Sequence, residues 1–319
     1  MPHLSKIALP FLCVFLFLAS SFAASPANDK FLFSAELRPG MPLTGLTCNV
    51  GIEIAAFNGK ILGVEKGAFA GGNMIWAELE AQFLGEHGVA AGMSGSPCYV
   101  DGRLIGAVGY GFPFSQKPIA GITPIESMLE VLELTKQDLQ VDEDVSAQFE
   151  SGGVWTLDEL RELARVAKFP GASVLKMPAD RLPDAVKVDL DRSLSEIELT
   201  PLALPLSISS KESAVYQPLQ RFLQDQGLSL AAGGISGSTL DSAQMPPLRA
   251  GSAIGMPLMT GDLTVGGYGT VTHVEEDRLI AFGHPAFGWG TTDLPMSPCS
   301  MFAVQPSYNL SFKMGQVAT

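Results

Sequence analysis

Ser94 stands in the stretch Gly92-Met-Ser-Gly-Ser-Pro97, between glycines at 92 and 95 that can take backbone angles closed to residues bearing a Cβ. A chain free to turn that sharply can expose the Ser94 hydroxyl, and the backbone N–H groups of Gly92 and Ser94 can converge as an oxyanion hole. A serine hydroxyl is a weak nucleophile until a base takes its proton, and histidine is the usual base. The chain has four histidines. His3 belongs to the N-terminal segment, and His87 precedes Ser94 in "GEHGVAAGMSGSP", a loop by its composition. His273 stands in "VTHVEED", within or at the edge of a strand. His284 follows the apolar run "RLIAF" and is held between Gly283 and Pro285. An apolar strand that ends in a Gly/Pro turn presents a side chain in a defined place, so His284 is the first choice of base and His87 the second. The competing reading of His284 is a turn histidine that only bonds backbone groups.

Other readings of the serine turn fare worse. The nucleophile elbow of α/β-hydrolases needs a glycine two residues after the serine and a helix beyond it, whereas Ser96 stands there and an extended run follows. "GISGSTL" repeats the Gly-x-Ser-Gly-Ser spelling around Ser236, but it runs into "DSAQMPP", which is no hairpin. A Ser/Gly turn without chemistry is the remaining alternative for Ser94.

The elements that must position these residues are mostly strands. Pro97 opens "PCYV", "RLIGAVGYG" follows, and Asp101-Gly102 between them is a hairpin-turn pair. From Phe31 to about Gly121, short apolar runs alternate with Gly, Pro and Asn breaks, as in a β-sandwich or barrel. Pro124 introduces "IESMLEVLELTKQDLQ", where Ile125, Met128, Leu129 and Leu132 keep helical spacing. A second helix is expected from a capping box at Thr156 to Glu159, and a third in "YQPLQRFLQDQG", with the Pro-rich stretch between them unassigned. Strands resume from Ala250. The expected organisation is thus a β-barrel module over 25–135 that carries the serine and a helical and Pro-rich insert over 136–249. A β module over 250–319 then carries the histidine and is expected to be incomplete where the chain stops at Thr319.

Residues 1–24 read as a secretory signal: Lys6, an apolar run, then small residues at the cleavage positions. The protein is therefore expected outside the cytoplasm, in the periplasm or the extracellular space, with no integral membrane segment once the signal is removed. Cys13 leaves with the signal, and Cys48, Cys98 and Cys299 remain. These are expected to be small buried apolar residues, with at most one disulfide among them. No spacing suggests a metal, and no cofactor is expected. The net charge of −13 argues against nucleic acid and against an anionic membrane surface as partners.

Two segments together resemble a known family. "GVAAGMSGSPCYVDGRLIGAVGYGFPFSQKPIAGITPIESML" and "GYGTVTHVEEDRLIAFGHPAFGWGTTDLPM" look like the SpoIVB-type serine peptidases, relatives of the sporulation stage IV B protease. More closely, they look like exported bacterial proteins that carry that peptidase domain outside sporulation. The resemblance covers roughly residues 36–135 and 250–315. It implies a mainly β, chymotrypsin-like double β-barrel with Ser94 as nucleophile, His284 as base, and the Gly92 and Ser94 amides as the oxyanion hole. In the sporulation protease the Gly-His segment precedes the serine segment; here it follows, so the implied barrels are circularly permuted around a helical and loop insert. A triad is defined by geometry and not by chain order, so permutation does not prevent it.

The resemblance also implies a carboxylate to orient the histidine. The family's position falls near "WAELEAQF", which offers Glu78 and Glu80; Asp293, soon after His284, is the preferred choice, and a residue past Thr319 is the third. The expected activity is that of an exported serine endopeptidase acting on a protein or peptide substrate. The alternatives are a non-catalytic binding or scaffold protein of the cell envelope on the same fold and a domain that processes only itself.

Overall fold

The computed structural model describes residues 30–69, 72–80, 89–112, 117–132, 175–178, 182, 196–202, 206–208, 216–221, 230–232, 240–259, 265–285, 294–307 and 311–318. Within these the protein is mainly β, with a closed six-stranded antiparallel barrel and a second sheet.

The barrel is built from β1 (Pro42–Val50), β2 (Glu53–Phe69), β3 (Gly72–Glu80), β4 (Pro97–Val100), β5 (Arg103–Gly111) and β6 (Ile119–Pro124). Around the ring the order is β4-β1-β2-β3-β6-β5, and the β4–β5 hairpin closes it. The return of β4 to lie beside β1 is a Greek-key arrangement. Alternation along β1 sends Leu43 inward between exposed neighbours. With Phe57, Ile61, Ile75, Leu79, Val100, Ile105, Val108 and Ile122 it belongs to one buried cluster. Register shifts at Ile61/Gly63 in β2 and at Val108/Tyr110 in β5 supply the bends that closure demands. Asp101 and Gly102 both have positive φ, 50° and 75°, as the expected two-residue hairpin requires. After β6 the chain enters α1 (Ile125–Leu132), which buries Ile125, Met128 and Leu132 against Leu104 and Ala107 of β5.

Residues 136–249 depart from the insert expected for them. Two short strands, β7 (Leu175–Pro178) and β8 (Glu196–Pro201), pair with each other, and β8 adds to β5 at the edge of the barrel sheet. Another two, β9 (Leu206–Ile208) and β10 (Leu230–Ala232), enter the second sheet. In the stretch left unassigned from sequence, Pro178 and Pro201 lie at strand ends, where a missing N–H costs little. Residues 216–221 are helical, within the third expected helix. The signal, the helix expected from Thr156, and the Ser236 stretch lie outside the described residues.

The second sheet is completed by β11 (Ala253–Met259), β12 (Val265–Glu275), β13 (Arg278–Ala281), β14 (Ser297–Gln305) and β15 (Phe312–Val317). Its order is β10-β9-β12-β11-β14-β15, with β13 paired to β12. Reciprocal backbone bonds between Gly51 and Met301 join this sheet to the end of β1. Among the described residues, no helix is long and apolar enough to cross a membrane.

Candidate active site

The serine turn sits where the barrel meets the second sheet, and the bonds that hold it come from both. Met93 and Ser96 donate within the turn, to Ala90 and Met93, and the Gly95 N–H donates to Val108 of β5 at 2.7 Å. From the other side, Thr270 of β12 donates its N–H to the Ser94 carbonyl at 2.8 Å and its hydroxyl to the Gly92 carbonyl at 3.0 Å. Thr272 donates its hydroxyl to Gly95 at 2.7 Å. Gly92 and Gly95 have φ of 89° and 90°, in the region glycine occupies without strain. Size matters at Gly95 as well, because a Cβ there would lie 1.9 Å from the Thr270 carbonyl oxygen and 2.4 Å from the Phe282 nitrogen.

This bonding leaves a particular pair of donors over. Among the described residues, the backbone N–H groups of Gly92 and Ser94 have no acceptor, while those of Met93, Gly95 and Ser96 all do. They are the two amides assigned to the oxyanion hole from sequence.

His284 reaches the same region from β13. Phe282 and Gly283 both have positive φ, 70° and 65°, and turn the chain out of the strand. The Phe282 N–H donates to Thr270, and the Thr123 hydroxyl of β6 donates to the Gly283 carbonyl. The Ser94 and His284 segments therefore share Thr270 as a neighbour. The imidazole ring lies 6.2 Å from that of Tyr110. Its Nδ1 is 2.9 Å from the Pro285 carbonyl oxygen. A carbonyl only accepts, so this bond requires the proton on Nδ1 and leaves Nε2 with its lone pair. Burial lowers the pKa of the ring below the ordinary value, against smaller opposing effects of the Pro285 and Leu202 backbones. The neutral form, the one a base needs, is favoured.

The exposed hydroxyl expected at Ser94 is corrected. Ser94 is fully buried, 0% exposed, because β12 and the Phe282–Gly283 turn close over the glycine-flanked bend. Its Oγ and His284 Nε2 are both shielded from solvent, and neither has a hydrogen-bond partner among the described residues. The two segments are brought together, and the nucleophile–base hydrogen bond is not formed between them.

The other sequence candidates resolve as follows. Asp293 and His87 lie outside the described residues. Glu78 is paired with Lys60 at 2.8 Å and Glu80 is exposed. His273 packs its ring edge-on against Phe31, with centroids 5.3 Å apart. Cys48, Cys98 and Cys299 are buried free thiols, all with raised pKa because burial disfavours the thiolate. Among the described residues no group of His, Cys, Asp and Glu could hold a metal ion.

One feature of this region was missed from sequence. Lys313 of β15 is buried beneath the serine turn at 1% exposure, and its Nζ donates to Thr47 Oγ1 at 2.6 Å. Burial holds its pKa at about 7. Period-two alternation in "SFKMGQV" would have put Lys313 on a face with Gly315 and Val317, a hint of an inward lysine. Comparison of the chain with family models, with curated proteins and with solved structures finds no match.

Proposed function

We propose that this protein is an exported serine endopeptidase of the SpoIVB type, with Ser94 as nucleophile and His284 as general base. The observation that carries the reading is the convergence at Thr270 of a serine turn with two amides unpaired among the described residues and a histidine whose Nε2 keeps its lone pair. In the reaction, Ser94 Oγ attacks a peptide carbonyl carbon while His284 Nε2 takes the hydroxyl proton. The carbonyl oxygen becomes an oxyanion held by the Gly92 and Ser94 amides. Collapse breaks the peptide C–N bond, His284 returns the proton to the leaving amine, and an acyl-enzyme remains. Water, deprotonated by His284, then releases the acid product and restores Ser94.

The Greek-key order of the closed barrel supports the chymotrypsin-like assignment, and the histidine following the serine in the chain supports its permuted form. The Pro285 carbonyl supplies one service usually given by a triad carboxylate, that of fixing the tautomer. Asp293 stays the proposed acid. Residues 1–24 are proposed to direct export to the periplasm or the extracellular space.

The burial of Ser94 favours a second reading, a non-catalytic envelope protein on the same fold. Under the peptidase reading the buried serine is a resting arrangement that substrate must open. Hydrolysis of an unfolded protein substrate, compared among the wild type, Ser94→Ala and His284→Ala, separates the two. Cleavage lost in Ser94→Ala and in His284→Ala supports the peptidase. Equal cleavage in all three, or none in any, leaves the binding protein.

A further inference from the structure

A lysine amine taken out of water needs a reason, because desolvation is costly and a well-packed apolar side chain usually serves stability as well. No carboxylate pairs with Lys313 in the ion pairs of the described residues. Its contacts instead lead to the serine turn. Nζ donates to Thr47 Oγ1; Thr47 Oγ1 is 2.9 Å from Ser96 Oγ; Ser96 Oγ is 3.4 Å from Thr270 Oγ1; and Thr270 donates to the Gly92 carbonyl. Thr47, Ser96 and Thr270 are each 0% exposed, so bulk solvent does not reach the chain.

The two ends of the chain are fixed. A carbonyl at one end can only accept, and a protonated amine at the other can only donate. Between these ends Thr47 Oγ1 accepts from both Lys313 Nζ and Ser96 Oγ, and Ser96 Oγ also lies 3.4 Å from the Thr270 hydroxyl that bonds Gly92, so the three hydroxyls form one contiguous network. Lys313 also holds the turn by two further contacts. Its backbone N–H donates to Ala91 at 2.9 Å, which anchors the peptide whose N–H is that of Gly92. Its side-chain carbons lie close enough that a Cβ on Gly92 would come 3.0 Å from Lys313 Cβ.

We propose that Lys313 is a positioning residue of the serine turn, acting through Thr47, Ser96 and Thr270 on the Gly92 carbonyl so that the Gly92 and Ser94 amides stay aimed at the oxyanion. The role rests on the peptidase reading for its purpose, and on the bonding alone for its existence. The low pKa of the amine agrees with the cost of keeping it there.

The test uses the mature chain as wild type, Lys313→Met, Thr270→Val and Thr270→Ser, with three readouts. These are the melting temperature, hydrogen exchange of the segment around residues 90–96, and the rate of labelling by a fluorophosphonate. Lys313→Met is expected to melt at or above the wild type while exchange in the turn quickens by up to about tenfold, the equivalent of one hydrogen bond. Thr270→Val should quicken the same segment, and Thr270→Ser, which keeps the hydroxyl, should restore it. Labelling should slow in step with exchange. Unchanged turn exchange in Lys313→Met and Thr270→Val overturns the proposal, as does a lowered melting temperature with exchange rising throughout the second sheet. The exchange arm needs no nucleophile. A wild type that never labels but keeps the coupling therefore refutes the peptidase and retains the positioning role. Equal labelling in all four chains with unchanged turn exchange does the reverse.

Discussion

Thr270 of β12 donates its backbone N–H to the carbonyl of Ser94 at 2.8 Å, and Ser94 lies in the turn that leads into β4 of the barrel. The Ser94 turn is thus held by the barrel on one side and by β12 on the other, and β12 also pairs with β13, the strand that leads to His284. The geometry of the candidate pair depends on how the two sheets dock rather than on the turn alone.

Gly95 is the tightest point of that docking. Gly95→Ala is expected to destabilise the protein by roughly 1–3 kcal/mol from the left-handed backbone alone. The clash with the Thr270 carbonyl adds to this. Urea unfolding of the two chains measures the difference, and an alanine variant as stable as the wild type would mean that the sheets do not dock as described.

Burial holds His284 neutral below the usual histidine range. If it is the base, labelling of Ser94 should persist on acidification past pH 6.5 and fail only when the ring gains its proton. A labelling-rate profile against pH locates the midpoint. A midpoint at or above the ordinary histidine value would contradict the buried ring.

Lys313 gives the stability a pH dependence of definite sign. Its pKa is about 7 in the folded protein and near 10.5 when free, so between those values the unfolded chain binds more protons. Stability should therefore rise with pH through that window and be lost as pH falls back toward 7, by an amount on the order of a few kcal/mol. Urea midpoints at pH 7 and pH 9.5 should separate more in the wild type than in Lys313→Met. Equal separations would show that the amine titrates normally.

The three described cysteines are buried and hold their protons more tightly than free thiols, because burial disfavours the charge. They should resist a water-soluble thiol reagent in the folded protein and react together on unfolding. Rapid reaction of Cys98 in native buffer would contradict its place in the barrel core.

What could be read from the sequence depended on how local the signal was. The Asp101-Gly102 hairpin and the start of α1 are written in adjacent residues, and both formed where expected. "EIELTP" has only six residues of alternation and a terminal proline, too little to distinguish an edge strand from a loop before β5 is there to pair with it. Ser94 was found by its neighbours, but its burial was not, since the covering strand β12 is some 170 residues away. Lys313 escaped for the same reason. A lysine among apolar residues acquires a role only when Thr47, Ser96 and Thr270 meet it from three other parts of the chain.

The most direct test of the account is the site of fluorophosphonate attachment, read by mass spectrometry on the purified protein. Such a reagent needs an activated serine and an oxyanion hole together. The account predicts a single adduct on Ser94, lost in Ser94→Ala and in His284→Ala. A folded protein that carries no adduct, or one modified at a serine other than Ser94, would contradict it.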